Sequence, residues 1–229
     1  MRLSQILFSQ GFGSRRECSA LLASGAVSVA GRVCADPHEE WPTHDLVLTI
    51  AGQAWPFHDP AVLMLHKPAG FECSQQPGRH ASVMSLLPPP LCKRGVQPVG
   101  RLDQDTTGLL LLTDSGPLIH RLTSPKQHVP KVYEVGTKHA VDDAQIAALR
   151  AGVVLHDDPV PTLRAACEQT GDRALRLTLT EGRYHQVKRM LAAVGNRVET
   201  LHRSAFGALQ LPANLPAGGW RWIAAADIG

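Results

Sequence analysis

The sequence predicts an α+β fold in two unequal parts: a small helix-hairpin module over residues 1–58 and a larger domain of mixed helices and strands over residues 59–229. Three observations lead there. Apolar residues recur at helical spacing at the start of the chain and then give way to a short alternating run. From Val62 onward, short apolar or alternating runs interleave with helical stretches. Between the two lies Trp55-Pro56-Phe57-His58-Asp59-Pro60, a short linker marked by prolines.

In the first part, Leu3, Ile6 and Leu7 predict a helix that Gly11 and Gly13 end. Ser14 can cap a second helix, and Glu17 three residues later completes a capping box. Cys18, Leu21 and Leu22 form the inner face of that helix and Gly25 stops it. Val27 and Val29 then alternate into a turn at Ala30-Gly31, and the chain returns through Val33 as a hairpin.

In the second part, strands are expected at 62–66, 107–113, 130–137, 163–168, 174–180, 197–202 and 207–211. Leu109 to Leu112, bounded by Gly108 and the turn Asp114-Ser115-Gly116, read as a strand buried on both faces. Leu175, Leu177 and Leu179 alternate as in a strand with one face covered. Asp142 caps a helix ending at Gly152, with Gln145 at the capping-box position. Another helix runs from about Tyr184 to Val194, and Gly195 stops it. Pro88-Pro89-Pro90 reads as a stiff loop.

Composition narrows the function classes. Hydrophobic content of 44% and charged content of 19% place the 229 residues among ordinary soluble globular chains. The net charge of +3 is too small to prove a polyanion partner, but its distribution is informative. Residues 1–58 hold Arg2, Arg15, Arg16 and Arg32 against five acids, so the excess of positive charge lies in the second part. The start of the chain lacks the apolar core of a signal peptide, and no stretch approaches the roughly 18 apolar residues of a membrane span. Five scattered cysteines without a Cys-x-x-Cys spacing suggest reduced thiols in the cytoplasm, not a zinc site or a disulfide framework. Most of the eleven histidines read as ordinary surface or core residues.

The chemistry concentrates in residues 100–116. Arg101 and Asp103 sit on a short polar loop that runs directly into the buried leucine strand. A carboxylate at the mouth of such a strand is anchored by rigid backbone and still reaches a cleft. On the 184–194 helix, Val187, Leu191 and Val194 share one face, while Tyr184 with Lys188 and His185 with Arg189 form adjacent stripes. The helix can thus bury its apolar stripe and present a basic edge. If that edge faces the Asp103 loop, Lys188 is the ion-pair partner that keeps the carboxylate ionised and aims it. Asp103 and Asp105 do not suggest a metal, because no third ligand lies nearby. Nor do two acids two residues apart face each other across the roughly 5 Å that a pair of glycosidase carboxylates requires.

The string Gly100-Arg101-Leu102-Asp103-Gln104-Asp105-Thr106-Thr107-Gly108, followed by its leucines, resembles the active-site signature of pseudouridine synthases. The resembling branch is the one typified by ribosomal small-subunit pseudouridine synthase A. Three further elements agree in order: Leu65-His66-Lys67-Pro68-Ala69-Gly70, Lys131-Val132-Tyr133-Glu134-Val135, and Glu181 to Met190 followed by Leu201-His202-Arg203. The first part is similar to the small RNA-binding module (the αL motif) shared by ribosomal proteins and many rRNA-modifying enzymes. The resemblance implies a mainly antiparallel sheet with flanking helices in the catalytic domain. It also implies isomerisation of a specific uridine to pseudouridine in ribosomal RNA, in the small subunit by this branch, with no cofactor and no metal. Asp103 would then act on the ribose–base unit as nucleophile or as base, Tyr133 would stack on the uracil, and Lys188 would stand beside the aspartate. Many relatives carry Arg where this chain has Lys188. Expected RNA contacts are Arg15, Arg16 and Arg32 in the module, and Lys67, Arg101, Arg121, Lys131, Arg183, Arg189 and Arg203 in the larger domain. The implied partner is ribosomal RNA, free or in an assembly intermediate, met by a cytoplasmic monomer away from membranes. Two alternatives stay open: a large-subunit rRNA pseudouridine synthase, and a non-catalytic rRNA-binding assembly factor.

Overall fold

A computed structural model describes all 229 residues, which divide into two compact units. The first comprises Met1–Ala61 together with Leu87–Gln97, and the second Val62–Leu86 together with Pro98–Gly229. A single division at residue 58 therefore needs correcting, because a later segment belongs to the first unit.

In the first unit, α1 (Leu3–Ser9) and α2 (Arg15–Ala23) pack on a four-stranded sheet of β1 (Val27–Val29), β2 (Arg32–Val33), β3 (Val47–Ile50) and β4 (Gln53–Pro56), in the order β2-β1-β3-β4. The Ser14 hydroxyl accepts from the amide of Glu17, whose carboxylate accepts from the amide of Ser14, so the predicted capping box forms. Both hairpin turns place two residues at positive φ: Ala30 at 49° with Gly31 at 79°, and Ala51 at 48° with Gly52 at 82°. That geometry matches the twist of the flanking strands. Trp55 and Pro56, read as linker, are strand residues, and the Trp55 ring meets Phe12 edge-on at 4.9 Å. The triple proline does more than stiffen a loop: it opens α3 (Pro89–Lys93), where a proline without an N–H costs no hydrogen bond. Arg94 behind α3 reaches the buried side chain of Gln10 at 2.9 Å and the carbonyl of His58 at 2.8 Å. Gly11, at φ +85°, lets Pro90 approach so closely that a Cβ there would lie 2.0 Å from its carbonyl oxygen. These contacts bind 87–97 to the first unit.

The second unit is built on a nine-stranded sheet. Its strands are β5 (Val62–Lys67), β8 (Gln97–Pro98, where the chain crosses between the units), β9 (Thr107–Thr113), β10 (Lys131–Thr137), β11 (Ala166–Gly171), β12 (Ala174–Leu179), β13 (Val198–Phe206), β14 (Leu209–Gln210) and β15 (Trp220–Trp222). The main path runs β11-β12-β10-β13-β9-β5-β15, antiparallel throughout except where β13 meets β9. β6 (Phe71–Glu72) and β7 (Ala81–Ser82) form a small separate pair. The run Leu109–Leu112 is fully buried at the centre of the sheet, as a strand covered on both faces should be. β13 is longer than its pattern suggested, and β15 pairs with β5 on only three residues, Trp-Arg-Trp, too short to announce itself.

Three helices cover this sheet: α4 (Gly116–Thr123), α5 (Asp143–Ala151) and α6 (Gln186–Ala193). Ile146 and Leu149 of α5 and Val187, Met190 and Leu191 of α6 pack against Val135, Leu175, Leu177 and Leu201. Each such side chain contributes about 1.5–3 kcal/mol by leaving water. Asp142 caps α5 as expected. Gln145 does not close the box; its side chain instead donates to the carbonyl of Val194 behind α6 at 3.0 Å. That bond ties the first turn of α5 to the C-cap of α6.

Candidate active site

The loop before β9 is staked down from several sides. The amide of Thr106 donates to the carbonyl of Asp103 at 3.1 Å, and the amide of Gly70 to that of Gln104 at 2.9 Å. Lys67, at the end of β5, has no exposed surface. Its three ammonium hydrogens match three carbonyls: Pro68 at 3.0 Å, Gln104 at 3.1 Å and Thr106 at 2.8 Å. Burial pushes its pKa down, while Cys73, Asp105 and Asp103 favour the charged form. Lys67 is thus a clamp on the Asp103 loop, and the phosphate contact expected of it is corrected: a fully buried ammonium with every donor engaged cannot reach a backbone outside. Gly108, at φ +109°, lets β9 run against β13, where a Cβ would meet the Arg203 carbonyl oxygen at 2.3 Å.

Asp103 emerges from this loop with its side chain 24% exposed. Each carboxylate oxygen has its own partner. Lys188 Nζ stands 3.1 Å from Oδ2, and His185 Nε2 stands 3.3 Å from Oδ1. The basic edge of α6 therefore faces the aspartate, but Lys188 is not its private partner. The ammonium also contacts both oxygens of Asp105, at 2.6 and 2.9 Å. Burial opposes ionisation of Asp105, yet the Lys188 hydrogen bond and charge outweigh it and hold the carboxyl below its usual range. Burial likewise works against the charge on Lys188, and hydrogen bonds to Asp105 and then Asp103 reverse that and raise its pKa. A compact ammonium with three rotatable donors can serve two carboxylates, where a planar guanidinium would commit its fork to one.

His185 is the residue the sequence reading missed. It occupies the N-cap of α6 at φ +46°, and this left-handed kink directs its ring toward Asp103. The ring also stacks on Tyr184, with centroids 3.9 Å apart. Its one sequence signal is its place immediately before the basic helix.

The expected basic contacts separate into two groups. Arg203 is only 2% exposed; its Nε donates to the carbonyl of Leu109 at 2.8 Å, and its guanidinium lies 5.3 Å from the Phe206 ring. Arg183 bonds Asp158 at 2.8 Å, Glu181 at 3.2 Å and the carbonyls of Val160 and Pro161. Arg189 pairs with Asp157 and donates to the Tyr184 carbonyl at 2.9 Å. Arg183 and Arg203 also line the cleft beside Asp103, so their protein partners orient them within the site, whereas Arg189 pairs with an exposed acid. Arg15, Arg16, Arg101 and Arg121 are exposed. Arg32 pairs with Glu39 and lies over Trp41, yet keeps an exposed side chain. Lys131 is half-buried, donating to the Val129 carbonyl at 2.8 Å.

Asp103, Tyr133, Arg101, Lys131 and His185 line one cleft of about 530 Å³. That volume suits a single nucleotide-sized ligand. Tyr133, on β10, packs partly against the core under α6 and presents the rest of its ring to the cleft.

Residues 61–193 match the family model described as RNA pseudouridylate synthase, and residues 1–47 match that of the S4 domain. The chain belongs to the RNA pseudouridylate synthase family. It is an RNA-binding enzyme, an isomerase that carries an S4 domain ahead of its synthase domain. The ribosomal small subunit pseudouridine synthase A of Escherichia coli (strain K12) is 38% identical over 100% of this chain and 98% of its own length. The enzyme of the same name from Pasteurella multocida (strain Pm70) is 37% identical over 100% of this chain and 98% of its own. Among solved structures, a pseudouridylate synthase superposes with a TM-score of 0.71 at 33% identity, covering 100% of this chain and 98% of that one. The expected mixed, mainly antiparallel synthase fold is the observed one. No helix is long and apolar enough to cross a membrane.

Proposed function

We propose that this synthase converts one uridine of small-subunit ribosomal RNA to pseudouridine. The branch assignment is supported by relatives of that name aligned over the whole chain. The observation that carries the chemistry is the Asp103 carboxylate, held at both oxygens by Lys188 and His185 in a nucleotide-sized cleft. In the reaction the bond from C1′ of the ribose to N1 of uracil breaks, the base turns, and C5 joins C1′. The proton leaving C5 is balanced by the one gained at N1, so no oxidant and no energy source are consumed. Asp103 acts on the ribose–base unit, as nucleophile or as base, with Lys188 and His185 orienting its two oxygens. Tyr133 stacks on the uracil from the cleft wall.

A uridine within folded RNA must first be extruded, at a cost of a few kcal/mol. Arg101, Arg121 and Lys131 near the cleft, with Arg15, Arg16 and Arg32 on the S4 domain, offset that cost through phosphate contacts. The enzyme works as a cytoplasmic monomer on ribosomal RNA before or during subunit assembly. The test is to map pseudouridines in ribosomal RNA from cells with and without the protein, and with Asp103→Asn in its place. One small-subunit position should vanish in both the deletion and the variant. Loss confined to large-subunit RNA would overturn the branch assignment, and full modification by purified Asp103→Ala would overturn the role of the carboxylate.

A further inference from the structure

The chain has two tyrosines, and both line the same cleft. Tyr133 sits in its wall, partly packed into the core. Tyr184 is different: it is 71% exposed, although an aromatic ring in water carries a hydration cost. Its position is nevertheless fixed. One face lies on the His185 ring, 3.9 Å between centroids and 20° from parallel. Arg189 Nη1 donates to its carbonyl at 2.9 Å. On the preceding residue, the Arg183 amide donates to Gln186 Oε1 at 2.8 Å, and Gln186 Nε2 in turn donates to Glu181 Oε1 at 2.8 Å. The segment 181–186 is therefore braced along its length while its most exposed ring is left open.

The order of the groups gives this ring a direction. His185 touches Asp103 at 3.3 Å through Nε2 and carries Tyr184 on its flat face, so the stack leads from the reacting carboxylate outward to solvent. We propose that the open face of Tyr184 is a second stacking site of the cleft, taken by an unpaired base next to the uridine that Asp103 acts on. This rests on the function proposed above. A flat, preordered ring at the exit of a nucleotide cleft suits a nucleobase, because every base presents a π face and pays little to meet a surface already in place. The site would thus grip RNA without reading base identity, leaving recognition of the target position to other contacts. It also deepens the role of His185, which both holds Asp103 and supports the platform.

The experiment uses the full chain and a small-subunit ribosomal RNA transcript. Affinity is measured by filter binding for the wild type, Tyr184→Ala and Tyr184→Phe. Replacing a base-stacking aromatic by alanine should raise Kd about tenfold or more, whereas phenylalanine should bind as tyrosine does. In parallel, a photoreactive benzoylphenylalanine at position 184 is crosslinked to the bound transcript. The crosslink should fall within one or two nucleotides of the uridine that becomes pseudouridine. An alanine variant with unchanged Kd, or a crosslink remote from the modified position, overturns the stacking site. Cells that lack the protein yet keep every small-subunit pseudouridine would instead overturn the underlying function, while the alanine-to-phenylalanine comparison would still decide whether the ring binds RNA.

Discussion

Lys188 contacts both oxygens of Asp105, at 2.6 and 2.9 Å, and so divides its charge between that residue and Asp103. The ammonium of α6 is a shared counterion for two acids on one loop. It ties Asp103, which lines the cleft, to Asp105 on the same loop.

Removing the shared cation should therefore cost activity more than stability. Lys188→Met leaves two carboxylates close together without their common partner, and Asp103 loses its aim. A displacement of about 1 Å at a reacting group can cost roughly a hundredfold in rate. We expect kcat for pseudouridine formation to fall by about that factor, with RNA affinity changed only a few-fold. Single-turnover assays at saturating RNA separate the two effects.

The same pair has a defined pH window. Asp105 titrates below its usual value of 3.8 in the folded chain, so its contribution is present above that value and lost as the pH falls through the lowered one. Lys188 titrates above its usual 10.5, so its contribution is complete below that value and lost as the pH rises through the raised one. Asp105 is 62% exposed, and solvent screening limits the contribution to about 1 kcal/mol or less. Urea denaturation of the wild type and Asp105→Asn should show a small gap at pH 5–9 that closes in strong acid.

Lys67 should prove structural. Lys67→Met removes a donor from three carbonyls at once; Gln104 keeps the Gly70 amide, and an acceptor left buried without a partner costs about 1–3 kcal/mol. We expect a loss of roughly 3 kcal/mol or more in denaturant melts, together with reduced activity as the Asp103 loop loosens. The salt dependence of RNA binding should stay as in the wild type. A lysine that neutralised a phosphate would instead reduce that dependence by about one unit of slope.

Arg121 and Arg183 should behave oppositely. Arg121 is exposed, so Arg121→Ala should weaken RNA binding and lower the salt slope with little effect on melting. Arg183 holds Asp158 and the carbonyls of Val160 and Pro161, so Arg183→Ala should lower the melting temperature by a few degrees and leave the slope intact. Thermal melts and salt-dependent filter binding on the same two variants settle the division.

Gly108 should not accept a side chain. Gly108→Ala meets the Arg203 carbonyl oxygen at 2.3 Å and holds a φ of +109°, so clash and backbone strain add. A loss of about 2 kcal/mol or more is expected by denaturant titration.

Much of the molecule was legible because its signals are local. The capping box of Ser14 and Glu17, the buried run Leu109–Leu112 and the alternation of Leu175, Leu177 and Leu179 each depend on residues a few positions apart. The motif around Asp103 and the basic edge of α6 were likewise readable as patterns. The folded chain decided what those patterns cannot carry. It sent Lys67 and Arg203 inside, gave Arg183 and Arg189 carboxylate partners from the 157–158 turn, attached 87–97 to the first unit and brought His185 to Asp103. Whether a basic side chain meets RNA or a buried carbonyl depends on the desolvation and charge around it. Those are set by residues such as Asp105 and Lys188, distant in sequence and hydrogen-bonded only after folding.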